Sequence, residues 1–164
     1  MSRREQVVLI HGAFDATHAL CVAASLTGDL DATVETDRLF PYFCYDAACR
    51  VPTLAGRRTV SVACLVDAVN GLGSTADGFE LETATVPAAR ILDTTIAADE
   101  AARIAERTVT HGLARRARAM TSFEVRLSPR GIVYKRFWIV RTSEARLLVD
   151  STTAGWFPLK LEAA

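Results

Sequence analysis

The sequence predicts an α+β fold in which helices pack on a curved antiparallel sheet, and three observations predict it. Residues 93–120, "DTTIAADEAARIAERTVTHGLARRARAM", carry one apolar stripe at helical spacing. The next forty residues alternate apolar and polar side chains in short runs separated by turn residues, the pattern of a strand meander. The first half repeats this order more weakly, so the chain reads as one domain over 1–164, with two degenerate α-plus-β-meander repeats at 5–88 and 89–164.

The elements follow in order. "EQVVLIHGAFDATH" opens as a short apolar strand that turns at Gly12. "DATHALCVAASLTG" reads as a helix capped by Asp15 or Thr17 and stopped by Gly28. "DATVETDRLFPYFCY" is extended and interrupted by Pro41, and "AACRVPTLAG" is a loop by composition. "RRTVSVACLVD" alternates, with Val60, Val62, Cys64 and Val66 on one face. "VNGLGSTADG" reads as a loop and "FELETATV" as a strand with Glu80 and Glu82 outward.

In the long helix, Ala101, Ile104, Ala105, Thr108 and Val109 form the stripe, and Thr95 is the expected N-cap. Asp99 and Glu100 in its first turn and Arg115, Arg116 and Arg118 in its last complement the helix dipole. "TSFEVRL", "IVYKRFWIV" and "ARLLVD" follow as strands, with "SPRG" as a turn. "WFPLKLE" closes the chain as a strand whose Pro158 fits an edge. The repeat alignment sets "FPYFCY … ACLVDAVNG" on "IVYKRFWIV … RLLVDSTTAG" and matches Tyr42 with Tyr134.

Composition bounds the rest. Half the residues are apolar and formal net charge is zero, as expected of a soluble globular protein. The apolar run Val7 to Ile10 is too short for a signal peptide or a membrane span. The expectation is a cytoplasmic protein without a membrane partner, whose Cys21, Cys44, Cys49 and Cys64 are reduced thiols. The neutral total hides an asymmetry: residues 1–100 carry 7 basic and 14 acidic side chains, and residues 101–141 carry 10 against 2. Such halves complement each other within a fold or across a homodimer, or give a basic face for an anionic ligand or nucleic acid.

Residues 93–157 resemble PepSY-like domains. The residues that carry the resemblance are the acid-plus-alanine helix start "IAADEAARIA", the aromatic element "YKRFWIV" and the turn "VDSTTAG". The resemblance implies a cystatin-like α+β fold and binding or inhibitory roles, and it carries over no active-site residues. The opening strand and His-Gly also resemble the oxyanion loop of α/β-hydrolases. No G-x-S-x-G nucleophile elbow follows, and 164 residues cannot hold that sheet and its helices.

Three candidate sites remain. In "IVYKRFWIV", Tyr134, Arg136 and Trp138 share one strand face and Lys135 the other, so both faces combine cations with bulky apolar groups. With Arg115, Arg116, Arg118 and Trp156 they compose an aromatic–basic surface for a protein partner, a second copy of the chain or an anionic ligand. This is the favoured reading, a non-catalytic binding domain, and it implies no cofactor. The alternatives are a small enzyme using His11, Asp15 and His18 in acid–base chemistry, and a nucleic-acid-binding module using the basic 103–141 segment. Cys44 and Cys49 are the one close thiol pair, the alternative metal-ligating set.

Overall fold

The computed structural model describes residues 3–117 and 123–159. Among them the elements run β1 (Arg4–Ile10), α1 (Ala16–Thr27), β2 (Thr33–Thr53), β3 (Gly56–Asp67), β4 (Gly73–Ala76) and β5 (Leu81–Pro87), then α2 (Ala98–Ala117), β6 (Glu124–Arg141), β7 (Arg146–Asp150) and β8 (Trp156–Leu159). The fold is α+β. In hydrogen-bonded order the strands run β4-β3-β2-β6-β1-β5, with β7 on β6 and β8 on β7. The sheet is mixed rather than antiparallel, because β1 runs parallel to β6 where Leu9 faces Tyr134. These two strands are far apart in sequence, which leaves the chain long enough to return in the same direction.

The chain forms two compact units. The first comprises Met1–Phe40, Glu80–Leu92 and Tyr134–Ala164, and the second Pro41–Phe79 and Asp93–Val133; β2 and β6 pass from one into the other. In the second unit β2 and β3 pair antiparallel from Tyr42 opposite Asp67 out to Thr53 opposite Gly56. α2 covers one face of that hairpin. Its Ala101, Ile104, Ala105, Val109 and Leu113 pack on Tyr45, Ala47, Cys49, Cys64 and Val66.

In the first unit α1 sets Ala19 and Ala23 against Val140, Leu147 and Val149 of β6 and β7. Asp15 caps this helix by accepting the His18 N–H (2.9 Å), and Gly28 ends it at φ +72 with its N–H on the Ala24 carbonyl. β1 pairs antiparallel with β5, and Val7, Leu9, Leu39 and Val86 form a second apolar cluster. Phe137, Ile139 and Leu148 pack together with Phe40 on the other face of β6.

Several local expectations change. "AACRVPTLAG" is not a loop: β2 continues to Thr53 and only Leu54 and Ala55 turn, because the ladder with Gly56–Val60 satisfies the backbone. β2 likewise runs unbroken through buried Pro41, and β6 through "SPRG", where Gly131 takes φ +94. "GSTA" within the expected loop is strand β4, paired with β3, whereas Phe79 and Glu80 precede β5. α2 starts at Ala98, not after Thr95, whose hydroxyl donates instead to the carbonyls of Ala68 and Val69. Pro158 does sit on a strand that, among the described residues, pairs with β7 alone.

Two loops share one bonding frame. In the first unit the Asp150 N–H donates to Gly155 O (2.8 Å), the Ala154 N–H to Asp150 O (2.9 Å), and Asp150 Oδ1 accepts the Thr152 N–H (2.7 Å). In the second, Asp67 N–H donates to Leu72 O (2.8 Å), Gly71 N–H to Asp67 O (2.9 Å), and Asp67 Oδ1 accepts the Val69 N–H (2.8 Å). Ala154 and Gly71 hold the same left-handed place, at φ +57 and +71. The following residue matches too. Ser151 N–H donates to Arg136 O and Ser151 O accepts from Phe14 N–H; Ala68 N–H donates to Pro41 O and Ala68 O accepts from both Thr95 N–H (2.8 Å) and Ile96 N–H (3.2 Å). Phe14 and Ile96 each stand two residues before a helix. Asp150 faces Phe137 and Asp67 faces Tyr42, so the frames match Tyr42 with Phe137, three residues on from Tyr134.

Candidate functional site

A cavity of about 250 Å³ opens in the first unit where β1 ends and α1 begins. His11, Gly12, Phe14 and Asp15 line it from that junction, Glu82 from β5, Arg136 and Trp138 from β6, and Ser151 from the β7–β8 loop. The junction exists because the Phe14 N–H is tied to Ser151 O (2.9 Å) and the His11 N–H to Glu80 O (2.8 Å). Gly12 is required there. A Cβ on it would stand 2.6 Å from Ser151 Oγ, 2.8 Å from Ser151 Cβ and 2.9 Å from the Ser151 carbonyl oxygen.

Ser151 is 2% exposed and its Oγ has no hydrogen-bond partner among the described residues. A buried hydroxyl left unbonded costs about 1–3 kcal/mol. Arg136 stands beside it. Its Nε is buried and lies 3.1 Å from Asp37 Oδ2, an ion-pair contact without hydrogen-bond geometry. Asp37, 5% exposed, also receives Arg90 at 2.8 Å, so two guanidinium groups share one carboxylate. The Arg136 guanidinium stacks 5.5 Å from the Trp138 ring, and the Trp138 indole N–H donates to Phe14 O (3.1 Å). That bond fixes the indole plane as a wall.

The mouth is acidic. Asp15 Oδ1 lies 2.9 Å from His18 Nδ1, and Glu82 Oε2 lies 3.4 Å from His11 Nδ1. The His18 backbone N–H, with its ring behind it, holds the Asp15 carboxyl below the usual carboxylate range. All four of these side chains are more than half or nearly half exposed, so their pairing is an easily exchanged surface contact.

The structure therefore brings together residues from two separate sequence readings: His11 and Asp15 from one, Arg136 and Trp138 from the other. His18 contacts the edge of Phe14 (5.6 Å between centroids) and bonds to Asp15, while His11 pairs with Glu82 rather than with either of them. The remaining candidates lie elsewhere. Tyr134 packs on the Leu9–Leu39 cluster. Lys135 sets its Nζ 2.6 Å from buried Asp150. Trp156 is 45% exposed on β8, and Arg115 and Arg116 are exposed in the last turn of α2, Arg116 3.7 Å from Asp77. Arg118 lies outside the described residues, as do residues 160–162 of the expected last strand.

Cys44 and Cys49 do not meet. Five positions on one strand place them on opposite faces and about 16 Å apart, and Cys49 alone joins the α2-covered core. Burial pushes both thiols up, and that of Cys64 to about 11. Among the described residues no group of three or more metal-ligating side chains gathers.

Sequence reasoning missed Ser151, Glu82 and Gly12's contact. "VDSTTAG" read as a turn, and a turn serine carries no mark of burial. The one available signal was comparison with "VDAVNG": the place Ser151 holds in its bonded frame is held in the second unit by Ala68. Comparison of the chain with protein-family models, with curated proteins and with solved structures finds no match in any of the three.

Proposed function

We propose that the protein is a non-catalytic binding domain that takes a small polar molecule into the cavity under Gly12, Arg136, Trp138 and Ser151. The observation that carries this reading is Ser151, a residue of the cavity lining whose buried hydroxyl bonds to none of the described residues. Packing alone does not need it, since Ala68 fills the matching place and is fully buried. A ligand atom is the partner that removes its cost.

The reading is supported by how the two bonded frames differ. We read the chain as a duplication, with strand–helix–meander halves near 4–79 and 80–159, close to the repeat boundaries the sequence suggests. Counting from Phe14 and Ile96, Gly12 matches Thr94 and Asp15 matches Ala97; counting from Ser151 and Ala68, Arg136 matches Pro41. The polar and space-making residues thus belong to one copy of the frame. The PepSY-like resemblance favours binding as well. The enzyme alternative has less support, because no base among the described residues is bonded to Ser151 Oγ.

The test is a single substitution read two ways. Ser151→Ala removes a hydroxyl that bonds to none of the described residues, so the free protein should keep at least wild-type stability in thermal or denaturant unfolding. The same variant loses affinity for any small molecule that raises the wild-type melting temperature in a metabolite panel. A panel in which nothing stabilises the wild type, or in which Ser151→Ala responds identically, overturns the proposal.

A second reading rests on the second unit. The face of its sheet opposite α2 carries Arg50, Arg57, Arg126 and Arg130 against Asp46 and Glu124, with Ala48 and Thr59 between them. Glu124 bridges Arg57 (3.0 Å) and Arg50 (3.6 Å). This excess of two positive charges fits a polyanion such as a nucleic-acid backbone. A gel shift that shows no salt-dependent binding at low ionic strength overturns it.

A further inference from the structure

We infer that the ligand of the first unit's cavity is an amino-acid-sized zwitterion, its carboxylate on Arg136 and Ser151 and its ammonium at Glu82 and Asp15. The inference rests on the cavity being the binding site and concerns what it selects.

The charges around the cavity require it. On the inner wall, Arg90 and Arg136 share the single carboxylate of Asp37, so that wall keeps one positive charge, and Arg136 is the member that reaches the cavity. Ser151 Oγ beside it bonds to none of the described residues and is a donor of the kind a carboxylate oxygen accepts. At the mouth stand two carboxylates, Asp15 and Glu82, each touched by one imidazole, His18 and His11. A simple anion drawn to Arg136 therefore meets two negative groups at the entrance, and a simple cation drawn to the entrance meets a guanidinium inside. A molecule bearing both charges uses both walls, in the order the cavity presents them.

Size and apolar lining agree. About 250 Å³ is the room of roughly eight waters, enough for an amino acid. Leu9, Ile10, Phe14 and the Trp138 ring supply the apolar part of the lining, against which an aliphatic or aromatic side chain would lie.

The experiment uses the full-length Trp156→Phe protein, in which Trp138 is the one remaining indole of the two in the chain. Its fluorescence is titrated with leucine and phenylalanine, with 4-methylpentanoate and 3-phenylpropanoate (the same molecules without the ammonium), and with 3-methylbutylamine and 2-phenylethylamine (without the carboxylate). The expected result is saturable binding of at least one zwitterion, with both of its single-charge analogues about 10- to 100-fold weaker. Glu82→Gln, at an exposed position that leaves the fold intact, should narrow the zwitterion's advantage over its carboxylate analogue, with Asp15 keeping the remainder. An analogue that binds within about threefold of its zwitterion overturns the inference and leaves the cavity standing as a binding site, provided Ser151→Ala still weakens it. If none of the six probes perturbs Trp138 while another molecule of the metabolite panel does, the zwitterion inference alone fails. If nothing perturbs it, both fail.

Discussion

Gly12 and Ser151 show how a single missing side chain makes a site. The carbonyl oxygen of Ser151 is held by the Phe14 N–H, so it cannot retreat from a Cβ placed on residue 12. Gly12→Ala should therefore destabilise the protein by about 1–3 kcal/mol, as overpacking does, and should abolish ligand binding even where the protein still melts cooperatively. Gly73 provides a control. A Cβ there would meet the Thr108 side chain at 2.1 Å, in the second unit, so Gly73→Ala should cost stability without altering binding in the first unit's cavity. The thiols offer another residue-scale check. Cys21 is exposed, whereas Cys44, Cys49 and Cys64 are buried and hold their protons more tightly than free cysteine. A disulfide reagent at pH 8 should therefore modify one thiol rapidly and the other three on the timescale of unfolding.

At the scale of the element, the β7–β8 loop is tied down by Asp150. Burial pushes this carboxyl up, but Lys135 and the Thr152 hydroxyl and N–H outweigh it and hold it below the usual carboxylate range. A carboxyl depressed in the folded state contributes stability that is fully present above its unfolded pKa, near 4, and is lost as pH falls through the lower folded value. Asp150→Asn should remove that acid-side slope and cost about 1.5–3 kcal/mol at neutral pH, measured by urea unfolding across pH 2–7. A variant that unfolds with the wild-type pH profile would show that the Lys135 contact contributes nothing.

The same scale shows what the sequence made legible. The α2 stripe, the Asp15 cap and the Gly28 stop are local signals, and the structure follows each of them. "AACRVPTLAG" and "SPRG" misread because Pro and Gly mark turns only where no partner strand satisfies their neighbours; here β2 and β6 have partners. The site was half legible. His11, Asp15, Arg136 and Trp138 drew notice by type, but nothing in the sequence joins the strand-to-helix junction at residues 10–16 to a loop at residue 151. That link is a long-range backbone bond, and long-range bonds leave no periodicity.

At the scale of the whole molecule, chain order and packing partner do not coincide. α1 belongs to the first half of the sequence, yet it buries Ala19 and Ala23 against β6 and β7 of the second half. α2 belongs to the second half and covers the β2–β3 hairpin of the first. A half-chain thus carries a helix without the strands that cover its apolar face, and a hairpin without its helix. A chain expressed as two fragments, 1–79 and 80–164, should give neither fragment a cooperative melt or dispersed amide spectrum alone, because each would expose an apolar helix face and an uncovered sheet. Mixed in equal amounts, the fragments should recover both, together with the Trp138 indole N–H resonance fixed by Phe14, a contact across the two fragments. Folding in a lone fragment would mean that the local elements suffice, and the exchanged helices would then be decoration on two self-sufficient halves rather than the reason the chain must fold as one.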